Sequence, residues 1–462
     1  MVTIKRALVL GGGGARGSYE VGVWKALCEL DMQVDVVTGT SVGALNGAVI
    51  AQGDMAIVYQ LWQQIDTAKI LDFDNVQNTN TAEGALSSLN SLAREAFRTK
   101  GVSSAPLAKL LRETIDEEKV RASKLKFGLV TYEVPAMKAH ELFVDDIPRG
   151  MLVDYMIASA SCFPAMHSYE IEKKLFIDGA YYDNLPVRLA ARGGATEAVV
   201  VNLNTPGIVH KAHLKAMQHE LIAPRWDLGA LLLFDGSRAK RNITLGYNEC
   251  MKRFGRYDGE KYTFYPGETE QNSLQMYSLF HAFFSRMGLD IDARLPRSLQ
   301  GSLDAVPEYL AKYAVMRTAM KRTGKHALST ADIVTLAAES AGEILEVSPL
   351  EVYTFETFNL RVMNQAVRHA RLPYSELGLE SSPALSVRES IASITKIVSP
   401  VSPLNRMMYI LSYLSDYEHL AENRRMITLL ASALPDEFMA AVYIIALGSI
   451  LKIESNPHEA RL

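Results

Sequence analysis

Apolar residues along the first 210 positions come in short runs separated by helical periods. Ala7–Leu10, Val34–Thr38, Phe127–Val134, Leu175–Ile177 and Ala198–Leu203 read as buried strands. After the first of them, Val23, Ala26, Leu27 and Leu30 fall on one helical stripe. Strand, helix, strand in repetition predicts an α/β layer structure with a mainly parallel sheet covered on both faces. Residues 72–105 break the rhythm with polar, serine-rich sequence, and are expected to form a surface insertion or a lid. Beyond about residue 270 the pattern becomes helical. Ser348-Pro349-Leu350-Glu351 carries helix-start signals. Val387, Ile391, Ile394 and Val398 form one apolar stripe, and Met407, Ile410, Leu411 and Leu414 another. The expected organisation is a catalytic-type α/β domain over 1–270 and an α-helical domain over 271–462.

Composition narrows the function classes. The 462 residues are 48% hydrophobic and 22% charged, an ordinary globular balance. A net charge of −4 argues against a nucleic-acid partner. Cys28, Cys162 and Cys250 lie far apart and match no metal-ligand spacing, so neither metal nor cofactor is expected; the reading is free thiols in a reducing, cytoplasmic setting. The apolar run at the N-terminus stops at Leu10, too short for a signal-peptide core. Phe438–Leu451 is uncharged but too short to span a membrane, and is expected to be a buried helix, with lipid docking as the alternative. The basic positions Arg238, Lys240, Arg241, Lys252, Arg253 and Arg256 would suit peripheral contact with an anionic membrane, or form a solvated face.

Two glycine motifs carry chemistry. Gly11–Gly14, with Ala15, Arg16 and Gly17, follows a strand and opens a helix. Such a run leaves backbone N–H groups free to bind negative charge, either a phosphate or an oxyanion. Gly12, Gly14 and Gly17 fit GxGxxG and Asp35 lies at a plausible distance for a ribose, but at the wrong end of its strand. Gly39-Thr40-Ser41-Val42-Gly43 is a GxSxG between a strand and a helix, the setting of a nucleophile elbow. This favours the oxyanion. A serine needs a base. None of the ten histidines sits in an obvious post-strand turn, His167 coming closest. Asp178 ends an apolar strand and precedes Gly179-Ala180, and if strand ends share one sheet edge it can reach Ser41. Asp235-Gly236 is a second such turn, set aside because it follows the helix-like run Leu228–Phe234.

With Gly12-Gly13-Gly14-Ala15-Arg16-Gly17, Gly39–Gly43 and Asp178-Gly179-Ala180 in order, the chain resembles the patatin-like phospholipases over roughly residues 5–205. Ala158–Pro164 and Asn184-Leu185-Pro186 extend the likeness. The resemblance implies a three-layer α/β core and metal-free hydrolysis of lipid esters. It also implies a Ser41–Asp178 dyad with an oxyanion hole in the loop Gly12, Gly13 and Gly14. Arg16 is then expected to shape that loop or to hold a lipid phosphate. Acyl transfer by the same residues, or nucleotide binding at the glycine run, are the competing expectations.

Overall fold

The computed structural model describes residues 5–73, 82–286, 306–370, 399–415 and 424–450. The stripe Val387–Val398 lies outside them. The chain divides into two compact units, Met1–Phe254 and Gly255–Leu462.

The first unit begins with β1 (Arg6–Leu10), α1 (Ser18–Glu29), β2 (Val36–Thr40), α2 (Val42–Gln52) and α3 (Met55–Gln63). Next come α4 (Ala82–Thr99), α5 (Ala105–Thr114), α6 (Glu117–Ala122), β3 (Lys126–Val134), β4 (Lys138–Phe143) and α7 (Leu152–Ser159). It closes with β5 (Tyr169–Ile171), β6 (Lys174–Asp178), α8 (Val187–Arg192), β7 (Glu197–Val201), α9 (Lys211–Ala216), β8 (Gln218–Ile222) and α10 (Gly236–Arg253). Its strands form one eight-stranded sheet in the order β5-β6-β3-β2-β1-β7-β8, with β4 also on β3. The central run from β3 to β8 is parallel, and the pairs β3–β4, β3–β6 and β5–β6 are antiparallel.

Alternation along the strands explains the three layers. Ala7 and Val9 of β1 join Leu189 and Ala190 of α8 in one apolar cluster. The opposite face takes α2, where a side chain at Gly47 would strike Val37 and Phe127. Central strands buried on both faces are why their sequences read as continuous apolar runs.

The insertion holds an ordered amphipathic helix. Along α4, Gly84, Ser88, Leu92 and Ala96 face inward, while Phe97 is 91% exposed. Leu228–Phe234, expected to be helical, is an irregular loop instead. Leu231 accepts at its carbonyl from the Ala15 N–H at 2.7 Å, a tertiary bond that a helix there could not offer in the same way.

The basic segment does not present a single free face. Arg241 donates to the Asp227 carbonyl at 2.8 Å, Lys252 pairs with Glu249 at 3.5 Å, and Arg253 pairs with Glu220.

The second unit contains β9 (Thr263–Phe264), α11 (Glu268–Arg286), α12 (Val306–Thr323), α13 (Thr330–Ile344) and β10 (Val352–Tyr353). It ends with α14 (Phe355–Ala370), α15 (Pro403–Ser415), α16 (Arg424–Ala433) and α17 (Pro435–Ile450). The point 270/271 falls inside α11. Ser348 does not start a helix. Its Oγ accepts from the Leu350 N–H at 3.3 Å, and Val352–Tyr353 pairs in parallel with Thr263–Phe264. The helix-start bond appears six residues later, where Thr354 Oγ1 accepts from the Thr357 N–H at 3.1 Å. Met407, Ile410, Leu411 and Leu414 are buried on α15, as is Phe438–Ile444 on α17. Among the described residues no single helix is long and apolar enough to cross a membrane.

Candidate active site

Ser41 sits between β2 and α2 with φ 55° and ψ −127°, a left-handed conformation that a serine adopts only under constraint. The constraint is packing. A side chain at Gly39 would lie 2.2 Å from the Gly43 carbonyl oxygen, and one at Gly43 would lie 2.4 Å from that of Leu10. Only glycines let α2 turn back this closely over the strands, and the turn thrusts Ser41 forward at the N-terminus of α2. A further anchor holds it. The Ser41 N–H donates to Ser159 Oγ at 3.0 Å, and Ser159 Oγ–H donates to the Val130 carbonyl at 2.7 Å. The Thr40 hydroxyl donates to the Asp183 carbonyl at 2.7 Å.

Asp178 reaches Ser41, by a route other than the one expected. Its strand β6 is antiparallel to β3, not another parallel strand whose end joins a common edge. β3 runs on past the end of β2, and β6 descends along that extension until Asp178 lies beside Thr131. Thr40 lies beside Val130 on the other side of β3, so the two strand ends meet at one level. Ser41 and Asp178 line one cavity, and the Ala180 N–H donates to the Asp178 Oδ1 at 2.8 Å. Burial pushes the Asp178 carboxyl up to about 6, with the Ser41 hydroxyl and the Ala180 N–H working in the opposite direction. The residues are 8% and 3% exposed.

The glycine run faces the pair. Gly12 is closest, since a side chain there would lie 3.2 Å from the Ser41 Cβ. Its N–H is already engaged by Asn184 Oδ1 at 3.1 Å. Among the described residues neither the Gly13 nor the Gly14 N–H has a hydrogen-bond acceptor. Gly14 has φ 51° and presses against the Leu231 carbonyl, which leaves no room for a side chain.

Arg16 is directed away from this space. Its guanidinium donates to the carbonyls of Gly229 at 2.8 Å and Asn204 at 3.3 Å, and lies 3.9 Å from the Asp227 carboxylate. It does not line the cavity in front of Ser41. These contacts tie Arg16 to the loops behind the glycine run. Asp235 caps α10, accepting from the Arg238 N–H at 2.8 Å, and does not line that cavity either. Asp35 lies at the opposite end of β2 from Ser41 and accepts from the Arg6 N–H at 3.0 Å, which separates it from the glycine run.

Ser41, Asp178 and Gly12–Gly14 line a cavity of about 560 Å³, whose remaining wall is almost wholly apolar. Leu231, Leu232 and Phe234 from the irregular loop contribute to it. Cys162 also lines it, its thiol pushed up to about 11 by burial and the nearby Asp178. Ser159 and Asn184 stand out as anchors that sequence reasoning left without a role. Their signal was present in the two short segments 158–164 and 184–186, but a serine or asparagine that works through backbone bonds has no distinctive spacing.

Residues 8–191 match the family model for patatin-like phospholipases. Patatin-like phospholipase domain-containing protein 7 of Rattus norvegicus is 27% identical over 207 residues, which is 43% of this chain and 14% of the relative. Lysophospholipase nte1 of Aspergillus terreus is 60% identical over 45 residues, 10% of this chain and 3% of the relative. The chain thus matches only a small part of the length of these curated relatives. The solved structure of VipD from Legionella pneumophila covers 99% of this chain and 94% of its own, at 12% identity and a TM-score of 0.36. That likeness is too low to carry anything across.

Proposed function

We propose that this chain, whose residues 8–191 carry a patatin-like phospholipase domain, is a serine acyl hydrolase that cleaves carboxylic ester bonds of lipids. The observation that carries the reading is a strained serine and a buried carboxylate lining one apolar cavity, beside two backbone N–H groups that find no acceptor among the described residues.

Each part has a chemical task. Asp178 accepts the Ser41 proton as Oγ attacks the ester carbonyl. The carbonyl oxygen becomes an oxyanion, held by the Gly13 and Gly14 N–H groups and favoured by the N-terminus of α2. Gly12 fixes the loop through Asn184. Collapse of the intermediate passes the proton from Asp178 to the leaving alcohol and leaves an acyl group on Ser41. Water then gives a proton to Asp178 as it attacks the acyl carbonyl, and collapse of that intermediate returns the proton to Ser41 Oγ and releases the acid. An alcohol in place of water at that step makes the same residues an acyltransferase. Arg16 acts as a brace for the loops 203–204 and 227–229 rather than as a headgroup ligand.

Treatment with a fluorophosphonate, followed by intact mass and peptide mapping, tests the reading. One adduct, on Ser41, is expected, and it should be lost in Ser41→Ala. Labelling elsewhere, or none in a folded and otherwise intact protein, overturns it. Incubating the acyl-enzyme with glycerol or a lysolipid then separates hydrolysis from transfer by the product formed.

A further inference from the structure

The wall of the cavity repeats one spacing on three helices. On α2 it is Val42, Leu45, Asn46 and Val49, directly after the nucleophile. On α5 it is Leu107, Leu110, Leu111 and Thr114. From α3 come Val58, Leu61 and Trp62. Positions i, i+3, i+4 and i+7 form one face of a helix, so each helix gives the cavity a whole face rather than one end. A space lined in this way runs lengthwise along α2, away from Ser41.

The polar residue that α2 adds to the wall beyond Ser41, Asn46, is spent. The Asn46 amide donates to the Gly17 carbonyl at 2.9 Å and to Glu20 at 2.7 Å, and accepts from the Trp62 indole N–H at 3.0 Å. Nothing of it is left to bind a headgroup, and the interior suits hydrocarbon.

At the far end the two helices are tied together. Gln52, the last residue of α2, donates to the Thr114 carbonyl at 3.2 Å and accepts from the Asp116 N–H at 2.9 Å. These bonds join the C-terminal ends of α2 and α5 immediately beyond Val49 and Thr114, the last wall position on each helix. From Ser41 to Val49 is eight residues, about 12 Å along a helix. An extended hydrocarbon chain advances about 1.3 Å per carbon for bonds near 1.5 Å at tetrahedral angles, so about nine carbons span that distance.

We propose that the cavity is a closed tunnel for a single acyl chain laid along α2, and that Val49 and Thr114 together set the length it accepts, about nine or ten carbons beyond the ester carbonyl. This rests on Ser41 being the acylated residue. A chain of that class enters carbonyl-last, with its methyl end against the Gln52–Thr114 closure, and leaves the alcohol portion of the ester outside.

The test uses the full chain and its Val49→Phe and Thr114→Phe variants, with p-nitrophenyl esters and alkyl fluorophosphonates of 2 to about 16 carbons as probes. In the unaltered protein kcat/KM and the labelling rate at Ser41 should climb with chain length to about ten carbons and then stop climbing. A phenyl ring at either position fills the last turn. Because one turn of α2 is about 5.4 Å, the point where the climb stops should move down by about four carbons in each variant. The ratio of the rates on the ten-carbon and two-carbon probes should fall by about two orders of magnitude, the loss expected when about four methylenes no longer find cover. The substitutions lie on different helices, so one folded variant suffices and two must agree. Folded variants whose plateau stays at the length seen in the unaltered protein overturn the tunnel assignment while Ser41 labelling stands. Absence of labelling at Ser41 by every probe overturns the hydrolase reading itself, and the tunnel with it.

Discussion

A carboxylate buried beside a hydroxyl is a base only above its own pKa. Burial raises Asp178 to about 6, so at neutral pH it is ionised yet far more basic than an exposed aspartate. kcat/KM for a soluble ester should therefore rise with pH and level off above a midpoint near 6; a flat profile between pH 5 and 8 would sink the base assignment. Asp178→Asn should lower the rate about a thousandfold or more. It should also stabilise the fold at neutral pH. The folded pKa lies above the usual value of 3.8, so the native state holds its proton more tightly than the unfolded chain does. Stability from this group is present at low pH and is lost as pH rises from about 4 to about 6. The melting temperature of Asp178→Asn should thus exceed that of the unaltered protein at pH 7.5, and the gap should close near pH 4. Asp183 offers a control. Burial raises it to about 7, its Oδ2 has no partner among the described residues, and its backbone carbonyl accepts from the Thr40 hydroxyl. Asp183→Asn should likewise melt higher at pH 8 but keep the activity midpoint near 6. A midpoint that moved with Asp183 would transfer the titration to that residue.

At the scale of elements, the glycine loop is tied to its surroundings at several points. Arg16 ties its exit to the carbonyls at 204 and 229, the Ala15 N–H ties it to Leu231, and Asn184 ties Gly12. Behind Gly13 a side chain would lie 2.5 Å from Leu203 Cδ1. Gly13→Ala should force its N–H out of line, and kcat should fall about a hundred- to a thousandfold with KM little changed. A raised KM at constant kcat would instead assign the loop to ground-state binding of a headgroup. These elements also show what a sequence displays. Gly39, Ser41 and Gly43 were legible because an elbow demands small residues at fixed spacing around the nucleophile. Asp178 was legible as a strand end, but the direction of β6 was not. A short apolar run such as Leu175–Ile177 reads the same parallel or antiparallel, and only the hydrogen-bond register with β3 distinguishes the two. Leu228–Phe234 misled for a related reason. Its apolar residues face a cavity and a tertiary carbonyl contact, not a helix stripe, and periodicity cannot tell one kind of burial from another. At Ser348 the local helix-start chemistry was real but lost to strand pairing of Val352–Tyr353 with residues nearly ninety positions earlier in the chain.

For the whole molecule, the division after Phe254 bears on how the chain can be shortened. Every residue lining the cavity lies between Gly12 and Phe234, within the first unit. The stretch after the division belongs to a different core. Tyr262 and Phe264 are fully buried, packed edge-on against Phe358 at 4.9 and 5.1 Å between ring centres. Glu339 accepts the N–H groups of Glu260, Lys261 and Tyr262 at 2.8 to 3.1 Å, and β9 is paired with β10. A chain ending at residue 270 would keep Tyr262 and Phe264 and discard all of these partners. It would carry two large bare aromatic rings and an unpaired strand edge, both of which promote aggregation. A chain ending at Phe254 leaves that segment out. Expressed side by side, residues 1–254 should therefore yield more soluble protein than residues 1–270, despite being shorter. The soluble 1–254 protein should still take one fluorophosphonate on Ser41, because the pair, the glycine loop and the cavity wall are all present in it. Equal solubility of the two would show that the aromatic segment finds other cover. A folded 1–254 protein that fails to label would show that Ser41 needs the second unit to become reactive.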